Sequence, residues 1–153
     1  MSSSSSSEVS LAPAGVDERF LERFEGSFVG GMDPVLEAMG VGRAELEQTM
    51  RETGEIRTVL VNGEDVGSVW LELRGRTLHL HALVLEPSAR GSGVGGRVLA
   101  RLEQEFRGRA DELELGVQRE NEAARRLYEK TGFTEVESKH AELGFQVLRR
   151  RLA

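Results

Sequence analysis

The sequence predicts a single mixed α/β domain, and three observations along the chain carry that reading. Val16, Phe20, Phe24 and Phe28 recur every four residues, β-branched runs joined by tight turn signals follow, and a glycine-rich turn then opens a second helical region. The expected architecture is an α/β (α+β mixed) sheet: an antiparallel meander, one β-α-β unit and a C-terminal hairpin, with helices ahead of the meander. A chain of 153 residues is long enough to bury a core of that size.

Ser2 to Ser7 form a run that can bury nothing, so residues 1–8 are expected to be a disordered tail and residues 9–153 one domain. A short strand is expected at Ser10 to Pro13, ended by the proline. From Val16 an amphipathic helix follows, with Asp17, Glu18, Arg19, Glu22, Arg23 and Glu25 on its polar side and Gly30 and Gly31 as its stop. Asp33 reads as an N-cap with Pro34 at the first helical position, opening a short helix that ends near Gly40. A third helix is expected over residues 43–52. Residues 56–61 are a strand, Asn62 and Gly63 a hairpin turn, and residues 66–73 the return strand around Trp70. A second tight turn at Gly75 leads into a third strand, residues 77–85, stopped by Pro87. Beyond the glycine-rich turn, Val98, Leu99, Leu102 and Phe106 share one helical face. Residues 113–117 then form a buried strand and residues 121–131 a helix ended at Gly132. Residues 133–138 and 144–150 pair as the closing hairpin.

Composition removes several function classes. No apolar run approaches the ~20 residues of a membrane span, and no signal-like leader opens the chain, so a cytoplasmic protein is expected. There are no cysteines and 3 histidines, none in a ligand-type spacing, so no metal site is expected. The net charge of −6 argues against a nucleic-acid partner.

The segment Arg90, Gly91, Ser92, Gly93, Val94, Gly95, Gly96 follows a strand and enters a helix. Without Cβ atoms such a backbone can approach a phosphate closely, and the first-turn N–H groups have no helical partner. Gly91, Gly93 and Gly96 also fit a dinucleotide fingerprint formally, but the preceding strand belongs to an antiparallel meander and only one β-α-β unit follows. Glycines serving a turn alone would cost helix propensity of roughly 1 kcal/mol each. A ligand bearing a pyrophosphate accounts for the pattern better.

Arg90, Gly93 and Gly95, preceded by Leu85, Glu86 and Pro87, resemble the acyl-CoA-binding motif of the GNAT N-acetyltransferase superfamily. Residues 121–133, with Asn121, Leu127, Tyr128, Gly132 and Phe133, resemble that superfamily's second signature. The resemblance extends from Val9 to the C-terminus in element order and is clearest from Leu80 to Val136. It implies a GNAT-like fold and transfer of the acetyl group of acetyl-CoA to a primary amine, by direct attack in a ternary complex. A non-catalytic acyl-CoA-binding or sensing module on the same scaffold is the alternative. The partners implied are acetyl-CoA and an amine acceptor, with no nucleic acid and no membrane; a homodimer is left open.

The resemblance also implies site residues. The turn Arg90, Gly91, Ser92, Gly93, Val94, Gly95 and Gly96 would hold the pyrophosphate. Leu83, Val84 and Leu85 would offer backbone hydrogen bonds to the pantetheine arm, and Asn121 would support that arm. Tyr128, the one tyrosine in the chain, stands at the family's general-acid position, since a phenol can give its proton to a thiolate. His81 would accept the amine's proton directly or through water, with His79 on the same side of the strand. Relatives that acetylate protein N-termini often carry a glutamate where this chain has Gly116, and Glu114 has the wrong parity to replace it.

Overall fold

A computed structural model describes residues 8–152. Seven strands form one sheet in the order β1-β2-β3-β4-β5-β7-β6. They are β1 (Val9–Ala14), β2 (Glu55–Val61), β3 (Glu64–Arg74), β4 (Thr77–Leu85), β5 (Glu112–Gln118), β6 (Thr134–Val136) and β7 (Phe145–Arg151). The helices are α1 (Glu18–Gly26), α2 (Met32–Met39), α3 (Arg43–Glu52), α4 (Val94–Phe106) and α5 (Glu122–Lys130). The serine run lies outside the described residues. Glu8, expected in the tail, exchanges two hydrogen bonds with Asn62: it donates to Oδ1 at 3.1 Å and accepts from the backbone N–H at 2.9 Å.

β1 to β4 form the expected meander. Asn62 at φ 51° and Gly63 at φ 85° supply the left-handed pair that a two-residue hairpin needs. Pro13 does not end the first strand: β1 continues to Ala14, and Pro13 pairs with Arg57. Edge position explains the tolerance, because an outward-facing N–H has no strand partner to lose. α1 stops at Gly26, four residues short of Gly30, where the N–H of Ser27 closes back on Phe24. Asp33 is not an N-cap: α2 begins at Met32 after Gly31, and Asp33 and Pro34 sit in its first turn.

Alternation along the strands sends apolar side chains into two cores. Val69, Leu71, Leu78, Leu80, Leu113, Leu115 and Leu148 meet α4 and α5 on one face. On the other, Ile56 and Trp70 meet Phe20 and Phe24 of α1, Leu36 of α2 and Met50 of α3. In the sheet's far half, Glu114, Gly116 and Arg149 point the same way as Trp70.

Candidate active site

β4 and β5 run parallel only from Thr77 paired with Glu112 to Leu80 paired with Leu115. Both then continue, to Leu85 and Gln118, so their C-terminal halves part and leave a gap in the middle of the sheet. At the vertex sits a bulge: Trp70 pairs with Ala82 but Leu71 with Leu80, which makes His81 the extra residue. Glu86 donates its N–H to the Val66 carbonyl on β3 at 2.8 Å. Alternation then turns the backbone of Val84 toward β3 and that of Leu83 and Leu85 into the gap. Of these three residues, Val84 is corrected: its backbone is committed to the sheet.

The glycine-rich turn bridges this gap's mouth to α4. Gly91 and Gly93 have φ of 78° and 84°, which glycine adopts without strain. No side chain caps α4, and among the described residues the N–H groups of residues 91–96 meet no protein acceptor at hydrogen-bond distance; the first to do so is Arg97, on the Gly93 carbonyl at 3.2 Å. Gly95 has a packing reason, since a Cβ there would lie 2.7 Å from Leu127 Cδ2 on α5. At Gly96 a Cβ would face open space. Val94 is buried in the core beneath. Orphan N–H groups at the positive end of a helix, with no side chain over Gly96, suit a diphosphate. Arg90 is exposed and lays its Nε on the Leu85 carbonyl at 3.0 Å, while the Ser92 hydroxyl donates to the Ala89 carbonyl at 3.0 Å.

Around the vertex, on the face shared with Trp70, two Arg–Glu–His chains meet. Arg74 bonds Glu72 at 2.8 Å and Glu72 bonds His81 Nε2 at 2.9 Å. Arg149 bonds Glu114 at 2.7 Å and Glu114 bonds His79 Nδ1 at 2.7 Å. His81 stacks on Trp70 with ring centroids 4.1 Å apart and meets the His79 ring nearly edge-on at 4.6 Å. Burial pushes His81 down to about 4, aided by His79 and Arg74 and opposed by Glu72. His79 is lowered as well, by burial first and then by Arg74. Burial pushes the Glu72 and Glu114 carboxyls up, but hydrogen bonds from their His and Arg partners outweigh it and hold both below the usual range. At neutral pH this face therefore carries two carboxylates, two guanidiniums and two uncharged imidazoles. An imidazole held at about 4 is a much weaker base than the free side chain that the sequence suggested.

Tyr128 lies in the α4–α5 core, its ring 5.5 Å from that of Phe133. Burial pushes its phenol up to about 12, which favours the protonated form. Asn121 caps α5, its Oδ1 accepting the Ala124 N–H at 3.2 Å.

Sequence reading missed Glu72 and wrongly gave Glu114 the opposite parity to Gly116: two residues apart on β5, they share a face, and both glutamates look like ordinary strand charges until β3, β4, β5 and β7 are registered against one another. It also missed Gln118. That buried side chain accepts the Val29 N–H at 2.8 Å and donates to the Val29 carbonyl at 3.2 Å, fastening the α1–α2 loop across the end of β5. Nothing local distinguishes a glutamine that bonds 89 residues away. Beside it, a cavity of about 560 Å³ is lined by Glu135, Val136, Glu137, Ala141, Phe145 and Val147, among others.

A model of the acetyltransferase (GNAT) family matches residues 20–133. The chain belongs to this family. The matched stretch of this GNAT chain contains the divergent strands, the uncapped turn and α5. It is similar to a mycothiol acetyltransferase of Beutenbergia cavernae, 38% identical over 85 residues. That match takes in 54% of this chain and 28% of the relative, so the chain spans little more than a quarter of that protein's length. The GNAT fold also recurs in solved structures. A GNAT family acetyltransferase from Elizabethkingia anophelis with acetyl-CoA bound superposes with TM-score 0.70 at 15% identity, covering 97% of this chain and 99% of the other. The PaiA N-acetyltransferase of Thermoplasma acidophilum in complex with coenzyme A gives 0.68 at 14% identity, covering 94% and 99%. Among the described residues, no helix is long and apolar enough to cross a membrane.

Proposed function

We propose that this chain is an acyltransferase that moves the acetyl group of acetyl-CoA to a primary amine by direct attack in a ternary complex. One observation carries the reading: a gap opened between two parallel strands leads to a turn whose six consecutive N–H groups meet no acceptor at hydrogen-bond distance among the described residues. Acetyl-CoA supplies the activated thioester and the diphosphate.

The amides of residues 91–96 hold the diphosphate. Leu83 and Leu85 present backbone groups to the pantetheine arm, and an N–H in this segment meets the thioester oxygen, where it stabilises the charge that builds as the amine attacks. His81 donates Nε2–H to Glu72 and keeps the Nδ1 lone pair free. Its low affinity for protons suits it to ordering the water that takes the amine's proton, not to storing that proton itself. Tyr128, protonated at every working pH, donates to the sulfur as the carbon–sulfur bond breaks. The products are an amide and the free thiol of coenzyme A. With no cysteine in the chain, there is no thiol to carry the acetyl group in a covalent enzyme intermediate.

Thiol release measured over a panel of amines tests the proposal. Turnover is expected, and Tyr128→Phe is expected to lower kcat roughly 10²-fold while leaving the KM for acetyl-CoA little changed. The depressed proton affinity of His81 favours one competing reading, a binding module without turnover. Tight coenzyme A binding with no thiol released on any amine would support that alternative and overturn the transferase.

A further inference from the structure

Gly116 is an oddity. It sits inside β5 with neither a positive φ nor a close neighbour; the nearest atom to a Cβ built there is the Gln146 carbonyl oxygen at 3.9 Å. Glycine inside a strand gives up packing and backbone entropy, and it commonly marks a place where something approaches closely. Among the described residues nothing does so here, and the residue is exposed.

Its neighbours say what the space connects. Along β5, Glu114, Gly116 and Gln118 share one face; along β7, Phe145, Val147 and Arg149 share the same face, with Gly116 paired to Val147. Arg149 and Glu114 belong to the chain of groups at the vertex. Phe145 and Val147 line the cavity of about 560 Å³. Gln118 closes the end of this surface by holding the α1–α2 loop at Val29. The path from vertex to cavity thus runs directly over Gly116, about 7 Å from Glu114 at two strand residues. A side chain at residue 116 would stand in it.

We propose that Gly116 is the specificity-determining residue of an acceptor trough, which selects primary amines carried on an apolar arm that crosses residue 116 and ends against Phe145, Val147 and Val136. The proposal rests on the transferase reading and names its acceptor class. The arm is apolar because Val136, Ala141, Phe145 and Val147 line that end, beside the polar Glu135, Glu137 and Ser138. The Glu135 carboxylate is held by Arg119 at 2.9 Å and by Gln146 at 2.8 Å, and so turns no free charge onto it. At the other end the imidazoles of His79 and His81 are uncharged at neutral pH and do not repel an arriving ammonium, and the Glu114 and Glu72 carboxylates balance the Arg149 and Arg74 guanidiniums paired with them.

Calorimetric titration of the full chain tests this, first with coenzyme A and then with 4-phenylbutylamine or ethylamine added to the coenzyme A-saturated protein. Wild type is expected to bind 4-phenylbutylamine at least tenfold more tightly than ethylamine. Gly116→Leu is expected to erase that preference, and Phe145→Ala to reduce it. Gly116→Ala meets the Gln146 carbonyl only at ordinary contact distance, so it folds, and is expected to show an intermediate preference. Equal affinity for the two amines in wild type, or a preference unchanged in Gly116→Ala and Gly116→Leu proteins that still bind coenzyme A, overturns the trough. Failure of wild type to bind coenzyme A at all overturns the transferase reading, and the trough with it.

Discussion

At the scale of single residues, the four glycines between residues 91 and 96 do different work. Gly91 and Gly93 are there for backbone conformation, and Gly95 leaves room for Leu127. Only at Gly96 would a Cβ point into open space from a helical position, so only there does the chain lack an internal reason for glycine. Gly96→Ala is therefore expected to raise the melting temperature slightly, because alanine is favoured in a helix by roughly 1 kcal/mol. The same change should weaken coenzyme A binding about tenfold by crowding the diphosphate. Thermal unfolding and calorimetry on one variant read both signs; a loss of stability, or unchanged affinity, would count against the cradle. The glycines were legible as a group because their spacing is local. The division of labour was not, since Leu127 lies 32 positions from Gly95 and meets it only after α5 docks. His81 shows the same limit. Its place on a strand near the turn could be read from the sequence, but the weakening of its basicity comes from burial, in a site where it stacks on Trp70, and from the nearby His79 and Arg74, with Glu72 pulling the other way.

At the scale of elements, prediction succeeded where a local signal fixes a boundary. Asn62 and Gly63 gave the first hairpin, and the apolar period gave α3, whose bounds are Arg43 and Glu52. It erred where a boundary depends on what lies alongside: Pro13 remains within β1 because β1 is an edge, and α1 ends early although Phe28 keeps the period. Asp17, expected inside the helix on its polar side, instead precedes it, and its carboxylate caps α1 through the Phe20 N–H at 2.8 Å. Asp17→Ala should cost about 1 kcal/mol in chemical denaturation. The α4–α5 contact is tighter. Gly95→Val presses on Leu127 in a filled core and should cost about 1–3 kcal/mol. An unchanged denaturation midpoint for Gly95→Val would mean that Leu127 yields freely, and that the two helices are not locked at this point.

At the scale of the whole molecule, the titrating groups of the vertex couple activity to stability. His81 sits at about 4 in the folded protein against the ordinary 6.5 of a free imidazole. As pH falls below about 6.5 the unfolded chain takes up a proton that the folded chain refuses, so this contribution is complete above 6.5 and drains away toward 4. Glu72 and Glu114, both lowered in the folded state, act in the same direction at lower pH. The melting temperature should thus begin to fall near pH 6.5, well before carboxylates protonate. His81→Gln should flatten the slope between pH 6.5 and 4, whatever it does to the height of the curve.

The divergence of β4 and β5 has a last consequence. A sheet interrupted at its centre is unfinished hydrogen bonding, and an extended ligand with alternating amide donors and acceptors can complete it as a borrowed strand. Ligand at a hundredfold excess over Kd adds about 2.7 kcal/mol to folding, roughly 5–10 °C in melting temperature for a chain of this size. Amide exchange should slow first at Leu83 and Leu85, on the margin of the seam. For this protein, taking up its substrate is also the final stitch in its own architecture.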